Sequence, residues 1–289
     1  MKELKLGVQM MMLREQVAEN GPYEVMKKLN DMGFKYVEIS QIEMSDKNID
    51  EFNKAFEDFG MSALAISAPL YKNEMDPDTP YLMENVDVFI DHAKRLNSNY
   101  IRIGMIPFSL MNDKEGLRGF SRDMEKVAGQ LKEHGIKLYY HNHHIEFTKL
   151  DGEYILDLLL SEAPSIGYEL DVHWVHRGGF NPVDVINRLS GKVDLIHLKD
   201  YKLRPLSIEE FDFSKRDEFM STFTSNIQFA EVGDGNLDFK EIIKAGIGSN
   251  VEYYIIEQDD TYGKDPYECL KSSKEYLDKL ASENNWKFI

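Results

Sequence analysis

Residues 165–171 read SIGYELD, residues 181–189 NPVDVINRL and residues 194–200 DLIHLKD. The first and last are short apolar runs that end on ionisable residues. Between them Asn181 stands as an N-cap, Pro182 takes the first helical position, and the apolar pattern stops at Leu189, before Gly191. That is strand, helix, strand, the repeating unit of an α/β fold. The alternation continues outward in both directions. Candidate strands cover Leu4–Met10, Tyr36–Ser40, Ala63–Ser67, Tyr100–Gly104, Lys137–His141, Ser165–Asp171, Asp194–Leu198 and Tyr253–Glu257. Each is mostly apolar, as a strand buried on both faces is. Helical patterns lie at Tyr23–Met32, Ile49–Phe59, Tyr81–Leu96, Leu117–His134, Tyr154–Leu160, Pro182–Leu189, Leu237–Lys244 and Pro266–Leu280. Gly33, Gly60 and Gly135 follow three of them as C-caps. Eight strands alternating with eight helices predict a single (β/α)8 TIM barrel over residues 1–289. A doubly wound sheet would carry a glycine-rich phosphate turn after its first strand, and none stands there. The longest stretch with neither pattern is 201–228, after the seventh strand. Loops of that length are usually functional, so it is expected to cover the catalytic face as an insertion or lid, with room for a short helix.

Composition removes several function classes. The chain has 34 Lys plus Arg against 51 Asp plus Glu, a formal charge of −17. Such a surplus repels phosphate backbones and anionic lipid surfaces, so neither nucleic acid nor a membrane is an expected partner. At 42% hydrophobic and 29% charged residues the composition is that of an ordinary globular protein. Cys269 is the only cysteine, which excludes a disulfide framework and fits a reducing, cytoplasmic setting. The apolar run Val8–Leu13 is interrupted by Gln9 and followed by Arg14 and Glu15, so no signal peptide or membrane span is expected.

A TIM barrel places its active site at the carboxyl ends of the strands. The second candidate strand ends on Glu38 and Ser40. The fifth runs out through Tyr140, His141, Asn142, His143, His144, Ile145, Glu146 and Phe147. The sixth ends Glu169, Leu170, Asp171, Val172, His173, Trp174. The seventh ends His197, Leu198, Lys199, Asp200, and the eighth Glu257, Gln258, Asp259, Asp260. Four neighbouring strands thus send carboxylates and imidazoles to one rim. Massed carboxylates repel one another unless protonated or joined by a cation. A mixed oxygen and nitrogen set suits Mn, Mg, Co, Fe or Zn.

These segments resemble a known family. The residues that carry the likeness are Tyr140-His141-Asn142-His143 with Glu146-Phe147, Glu169-Leu170-Asp171, His197-Leu198-Lys199-Asp200, Glu231 to Asp238, and Ile255-Ile256-Glu257-Gln258-Asp259. They are similar to the xylose isomerase-like TIM barrels, the superfamily of ketose 3-epimerases, hydroxypyruvate isomerase, inosose dehydratase and endonuclease IV. Within it, the branch described as sugar phosphate isomerase/epimerase proteins is matched best, with a likeness to enzymes of 3-keto sugars and glycosides. The resemblance implies one divalent metal ion held by Glu, Asp, His and Glu from strands five to eight. Asp171, His197 and Glu257 match the last three. Where the ketose 3-epimerases have the strand-five Glu, this chain has His141. Glu146 is the expected fourth ligand, with His141 or His143 as alternatives. Where those epimerases carry a His three residues after the Asp, this chain has Trp174, so His173 or His176 is expected to take over a substrate contact.

Such a metal polarises a carbonyl as a Lewis acid and acidifies the neighbouring C–H. A carboxylate or imidazole then takes the proton, leaving an enediolate. Reprotonation isomerises or epimerises, and loss of a β-oxygen substituent eliminates. The expected function is a metal-dependent sugar isomerase or epimerase acting on a keto sugar or keto glycoside. A keto-glycoside lyase or dehydratase on the same site, or a non-catalytic sugar-binding barrel, are the alternatives. An endonuclease-IV-like activity is opposed by the charge. Catalytic roles are expected for Glu146, His143, Lys199 and Glu257, and substrate contacts for Glu38, His141, Asn142, His173, Trp174 and His176. Plainer readings stand beside these: an ion pair for Glu38, an ion pair between Lys199 and Asp200, an N-cap for Asp171, and a core histidine for His197. His144 points to the opposite side from His141 and His143 and reads as structural. The sequence leaves oligomeric state open, a homo-oligomer included.

Overall fold

The computed structural model describes residues 1–74, 76 and 78–289. Among these, eight parallel strands close into a barrel: β1 (Lys2–Gln9), β2 (Tyr36–Ile39), β3 (Ser62–Ser67), β4 (Tyr100–Ile103), β5 (Lys137–His141), β6 (Gly167–Asp171), β7 (Val193–Leu198) and β8 (Tyr253–Ile256). Neighbours pair in chain order, and β8 returns to β1 over Lys5–Tyr253 to Val8–Ile256. The helices are α1 (Arg14–Asp31), α2 (Asp46–Phe59), α3 (Leu82–Arg95), α4 (Lys114–Lys132), α5 (Ile155–Glu162), α6 (Val172–Arg177), α7 (Pro182–Arg188), α8 (Arg216–Thr224), α9 (Phe239–Gly248) and α10 (Pro266–Glu283). The fold is the TIM barrel that the alternation predicts.

Parity along the strands divides the molecule. Val37, Ile101, Tyr140, Leu170, Ile196 and Ile256 face outward into the main core beneath the helices. Leu64, Ala65, Tyr100, Tyr139, Leu195 and Ile255 form a separate apolar cluster in the barrel, with Tyr36 and Tyr253 against it. The Tyr100 and Tyr139 rings meet edge to face at 5.1 Å and plug the amino end. Gly167 pairs with Tyr139 across β5 and β6, and a β-carbon there would collide with the Tyr139 ring. Two residues further along the same inward rows stand Glu38, Arg102, His141, Glu169, His197 and Glu257, all buried. Alternation therefore builds an apolar floor and a polar roof from the same strands.

Several features depart from the sequence reading, among them α6, a short helix directly after β6. The first helix begins at Arg14 rather than near Tyr23, because Gly21 (φ 79°) breaks it and the apolar pattern reports only the second half. A short strand, Trp286–Phe288, pairs with Lys2–Leu4 on β1. The 201–228 stretch is not irregular at its root: Asp200–Leu203 pairs antiparallel with Ile227–Ala230, and α8 lies in the excursion between. No residue from 203 to 226 is buried. The rings of Phe211, Phe213, Phe219 and Phe223 pack on one another. Among the described residues no helix is long and apolar enough to cross a membrane. Cys269 is a free, buried thiol on α10.

Candidate metal centre

At the carboxyl end of β5 to β8, His141, Asp171, His197 and Glu257 each bring one donor atom to within 4.8 Å of the others. All four are buried. Register explains the convergence: Asp171 pairs with His197 across β6 and β7, and His141 pairs with Glu169, two residues short of Asp171. Glu257 follows β8 directly. Asp171 meets both of its sequence readings. Its Oδ1 caps α6 by accepting from the Trp174 amide at 2.9 Å, while Oδ2 faces the Lys199 ammonium at 3.1 Å. His197 Nδ1 lies 2.7 Å from Glu257 Oε2. His141 Nε2 lies 4.0 Å from Asp171 Oδ2. Gln9 at the end of β1 donates to Glu257 Oε1 at 3.1 Å.

Glu146, the expected fourth ligand, lies outside this group. The chain turns through a short helix at Ile145–Phe147, and Glu146 accepts there from the Tyr140 hydroxyl and from the His143 amide at 2.7 Å. Both of its oxygens are thereby engaged behind the loop, and His141 takes the strand-five place. Burial pushes the Glu146 carboxyl up to about 7, against the pull of those hydrogen bonds. Its position makes it a brace for the His143 segment, and the catalytic role expected of it has no geometry to support it.

Lys199 does not pair with Asp200. Its Nζ lies 2.8 Å from Glu257 Oε2, 3.1 Å from Asp171 Oδ2 and 2.9 Å from Asp259 Oδ1. Burial lowers its pKa, but Asp171, Glu257 and Asp259 outweigh that and hold the ammonium charged. The ammonium also faces the Trp174 and Phe229 rings at 5.3 and 6.0 Å. Asp200 instead accepts five backbone amides. Tyr201, Asn236 and Leu237 donate to Oδ1 at 2.8, 3.1 and 3.3 Å, and Gly233 and Gly235 to Oδ2 at 3.0 Å each. The Gly233-Asp234-Gly235 turn is thus wrapped around one carboxylate.

Glu38 pairs with Arg102, as its plainer reading has it. Arg102 Nε donates to Glu38 Oε1 at 2.6 Å and lies 3.2 Å from Glu169 Oε2. Burial pushes Glu38 up, but Arg102 and His197 overcome it and bring the carboxyl to about 2. Asn142 braces the β6 end, accepting from the Asp171 amide at 3.0 Å and donating to the Asp171 carbonyl at 3.3 Å. An aromatic wall flanks the group. Trp174 packs against His143, His144 and His173 at 5.3, 5.1 and 4.6 Å. Both nitrogens of His173, Nδ1 of His143 and Nε1 of Trp174 are buried without hydrogen-bond partners. Burial, with Lys199 next, lowers both His143 and His173 to about 3, so both rings are neutral. His176 faces away to Tyr201, with Nδ1 2.7 Å from the hydroxyl.

Glu38, Glu169, Asp171, Glu257 and Asp259 set five carboxylates against the permanent charges of Arg102 and Lys199. Burial above all raises Asp171 to about 7 and Glu169 to about 8. Glu169, Glu38 and Glu257 overcome burial and hold His197 protonated, well above the ordinary histidine range. The crowding of these carboxylates around Lys199 and Arg102 and the mixed imidazole and carboxylate donors fit a divalent cation. Sequence reading gave no role to Glu169 or Gln9. Glu169 carried a signal, since it shares the inward parity of Asp171. Gln9 carried one as the single polar residue in an apolar strand end.

Comparison with known proteins agrees with this architecture. The inosose dehydratase of Geobacillus kaustophilus (strain HTA426) is 28% identical over 164 residues, 55% of this chain and 51% of that protein. That of Mesomycoplasma hyopneumoniae (strain 7448) is 26% identical over 254 residues, 85% of this chain and 77% of that one. The chain spans about half the length of the first of these relatives. Among solved structures, a sugar phosphate isomerase/epimerase from Parabacteroides distasonis ATCC 8503 superposes with a TM-score of 0.74 at 19% identity, covering 96% of this chain and 98% of that one. The IolI protein, solved with a zinc atom, gives 0.70 at 15% identity, covering 97% and 99%. At those identities the structural likeness shows the fold. Residues 26–280 match the family described as xylose isomerase-like TIM barrel, and the chain belongs to that family.

Proposed function

We propose that the protein is a divalent-metal-dependent enzyme that removes a proton next to the carbonyl of a keto sugar or related cyclic polyol. The observation that carries this reading is the buried convergence of His141, Asp171, His197 and Glu257. These four residues would hold the cation, one of Mn, Mg, Co, Fe or Zn. When bound, it supplies Lewis-acid polarisation of the carbonyl. The remaining roles fall to the chain itself. Glu257, whose carboxyl Lys199 and His197 hold well below the ordinary range despite burial, stays ionised and is assigned as proton acceptor. Lys199 is assigned to steady the oxygen that becomes anionic. The neutral rings of His143 and His173 and the Trp174 indole offer unpartnered nitrogens to hydroxyl groups, and the Trp174 face suits a sugar ring. The 203–226 excursion is taken as cover over the mouth, excluding water.

Isomerisation, epimerisation and dehydration share that first step. Dehydration is the second reading, favoured by the relatives named inosose dehydratase. The test is to incubate metal-loaded protein with keto sugars, 3-keto glycosides and inososes in deuterated solvent. The expected result is a product carrying solvent deuterium at the carbon next to the carbonyl. Loss of water from that product selects the dehydratase. Turnover with no deuterium incorporated in any substrate would refute the shared step.

A further inference from the structure

We infer that Glu38, anchored by Arg102, is a positioning residue that fixes which nitrogen of His197 is offered to a cation. The inference rests on the metal reading proposed above. His197 stands between two carboxylates. Its Nδ1 lies 2.7 Å from Glu257 Oε2, inside the four-residue group, and its Nε2 lies 2.9 Å from Glu38 Oε2, outside it. A histidine that binds a metal through one nitrogen keeps its hydrogen on the other, and an acceptor there sets both tautomer and ring orientation. Glu38 is that acceptor.

The geometry also shows why Glu38 cannot swing into the group itself. Its Oε1 is held by Arg102 Nε at 2.6 Å, and the guanidinium is fixed in turn by Ser40 Oγ at 3.0 Å. Glu38, Glu169 and His197 form a second set of close donor atoms. The guanidinium already supplies the cation there, since Arg102 Nε also lies 3.2 Å from Glu169 Oε2. A deep ion pair and an upper cation site therefore share His197 as their common wall. Glu169 adds to the same arrangement, with Oε1 3.3 Å from His197 Nε2 and Oε2 3.3 Å from His141 Nδ1. These contacts come from below and leave His141 Nε2 and His197 Nδ1 on the Asp171 and Glu257 side.

The test uses the full chain with Glu38→Gln and Glu38→Asp. Gln keeps the size, and Arg102 keeps Glu169 as a counter-ion, so folding is checked by thermal unfolding in chelator. Zinc affinity is measured by competition with a chromophoric chelator. Glu38→Gln is expected to bind zinc roughly 10–100-fold more weakly than wild type, with Glu38→Asp recovering part of the loss. In zinc-loaded wild type, ¹⁵N imidazole shifts are expected to show His197 protonated at Nε2, and Glu38→Gln to lose that signature. Equal zinc affinity in Glu38→Gln and wild type overturns the inference, as does a His197 bound through Nε2. Equal affinity with a raised KM would instead make Glu38 a substrate contact. A wild-type protein that takes up no divalent metal overturns the proposed function, and this inference with it.

Discussion

Asp200→Asn changes one atom and should cost the protein far more than a surface substitution. In the wild type the two carboxylate oxygens face five amide donors, which is more than the roughly four lone-pair sites a carboxylate has. The contact with Leu237 at 3.3 Å is the weakest. An asparagine can present its oxygen to only one side. If it serves Tyr201 and Asn236, its NH2 group points at the Gly233 and Gly235 amides, donor against donor. Two charge-assisted hydrogen bonds are then lost at about 1.5–3 kcal/mol each. Gly233 is exposed and can turn to water, which brings the total towards about 3 kcal/mol. For a chain of this length that corresponds to a fall in Tm of roughly 6 °C. Urea unfolding in chelator, followed by far-UV circular dichroism, measures it. Asp200→Ala should be about as damaging, because a bare cavity admits water where the amide would repel. An Asp200→Asn protein within about 0.5 kcal/mol of wild type would refute the claim that this carboxylate holds the turn.

Two further outcomes follow from the site. Asp171→Asn and Glu257→Gln each neutralise one of the four donors, and each should bind divalent metal roughly 100-fold or more weakly, beyond an outer-shell effect. Metal analysis after dialysis decides it, and retained stoichiometric metal in both would refute the donor set. Glu146 concerns pH: its folded carboxyl lies at about 7, above the unfolded value of 4.5, so the folded state binds more protons and its stability falls as pH rises from 4.5 through 7. Glu146→Gln lacks this slope, so the mutant-minus-wild-type stability should move in the mutant's favour by about 3 kcal/mol between pH 4.5 and 8. A pH-independent difference would refute the burial argument.

The barrel was legible because both of its periods were simple. Strands such as Asp194–Leu198 are apolar on two faces, and helices such as Pro182–Leu189 announce their caps. The polar ends of β6, β7 and β8 were legible for the same reason, since they close apolar runs, and the family resemblance singled out Asp171, His197 and Glu257 among them. Glu146 was not, because its direction depends on the turn at Ile145–Phe147, and no periodicity describes a single turn. Nothing in the sequence around Arg102 points to its role. Its real partner, Glu38, lies two strands away in the barrel, and spacing along the chain says nothing about that distance. Asp200 was ambiguous beside Lys199 until the backbone showed a neighbouring turn with amides in need of an acceptor.

The excursion from 203 to 226 has a consequence for how such a protein changes over generations. It hangs from a short antiparallel root and buries none of its side chains, so no barrel packing depends on its composition. If the excursion covers the mouth as proposed, substitutions there would be filtered by what they admit or exclude, and hardly at all by whether the chain still folds. The donors of β5 to β8 sit under the opposite constraint, since each is buried in contact with others. On the proposed function, inheritance could rewrite selectivity in one segment while the chemistry stays fixed in another.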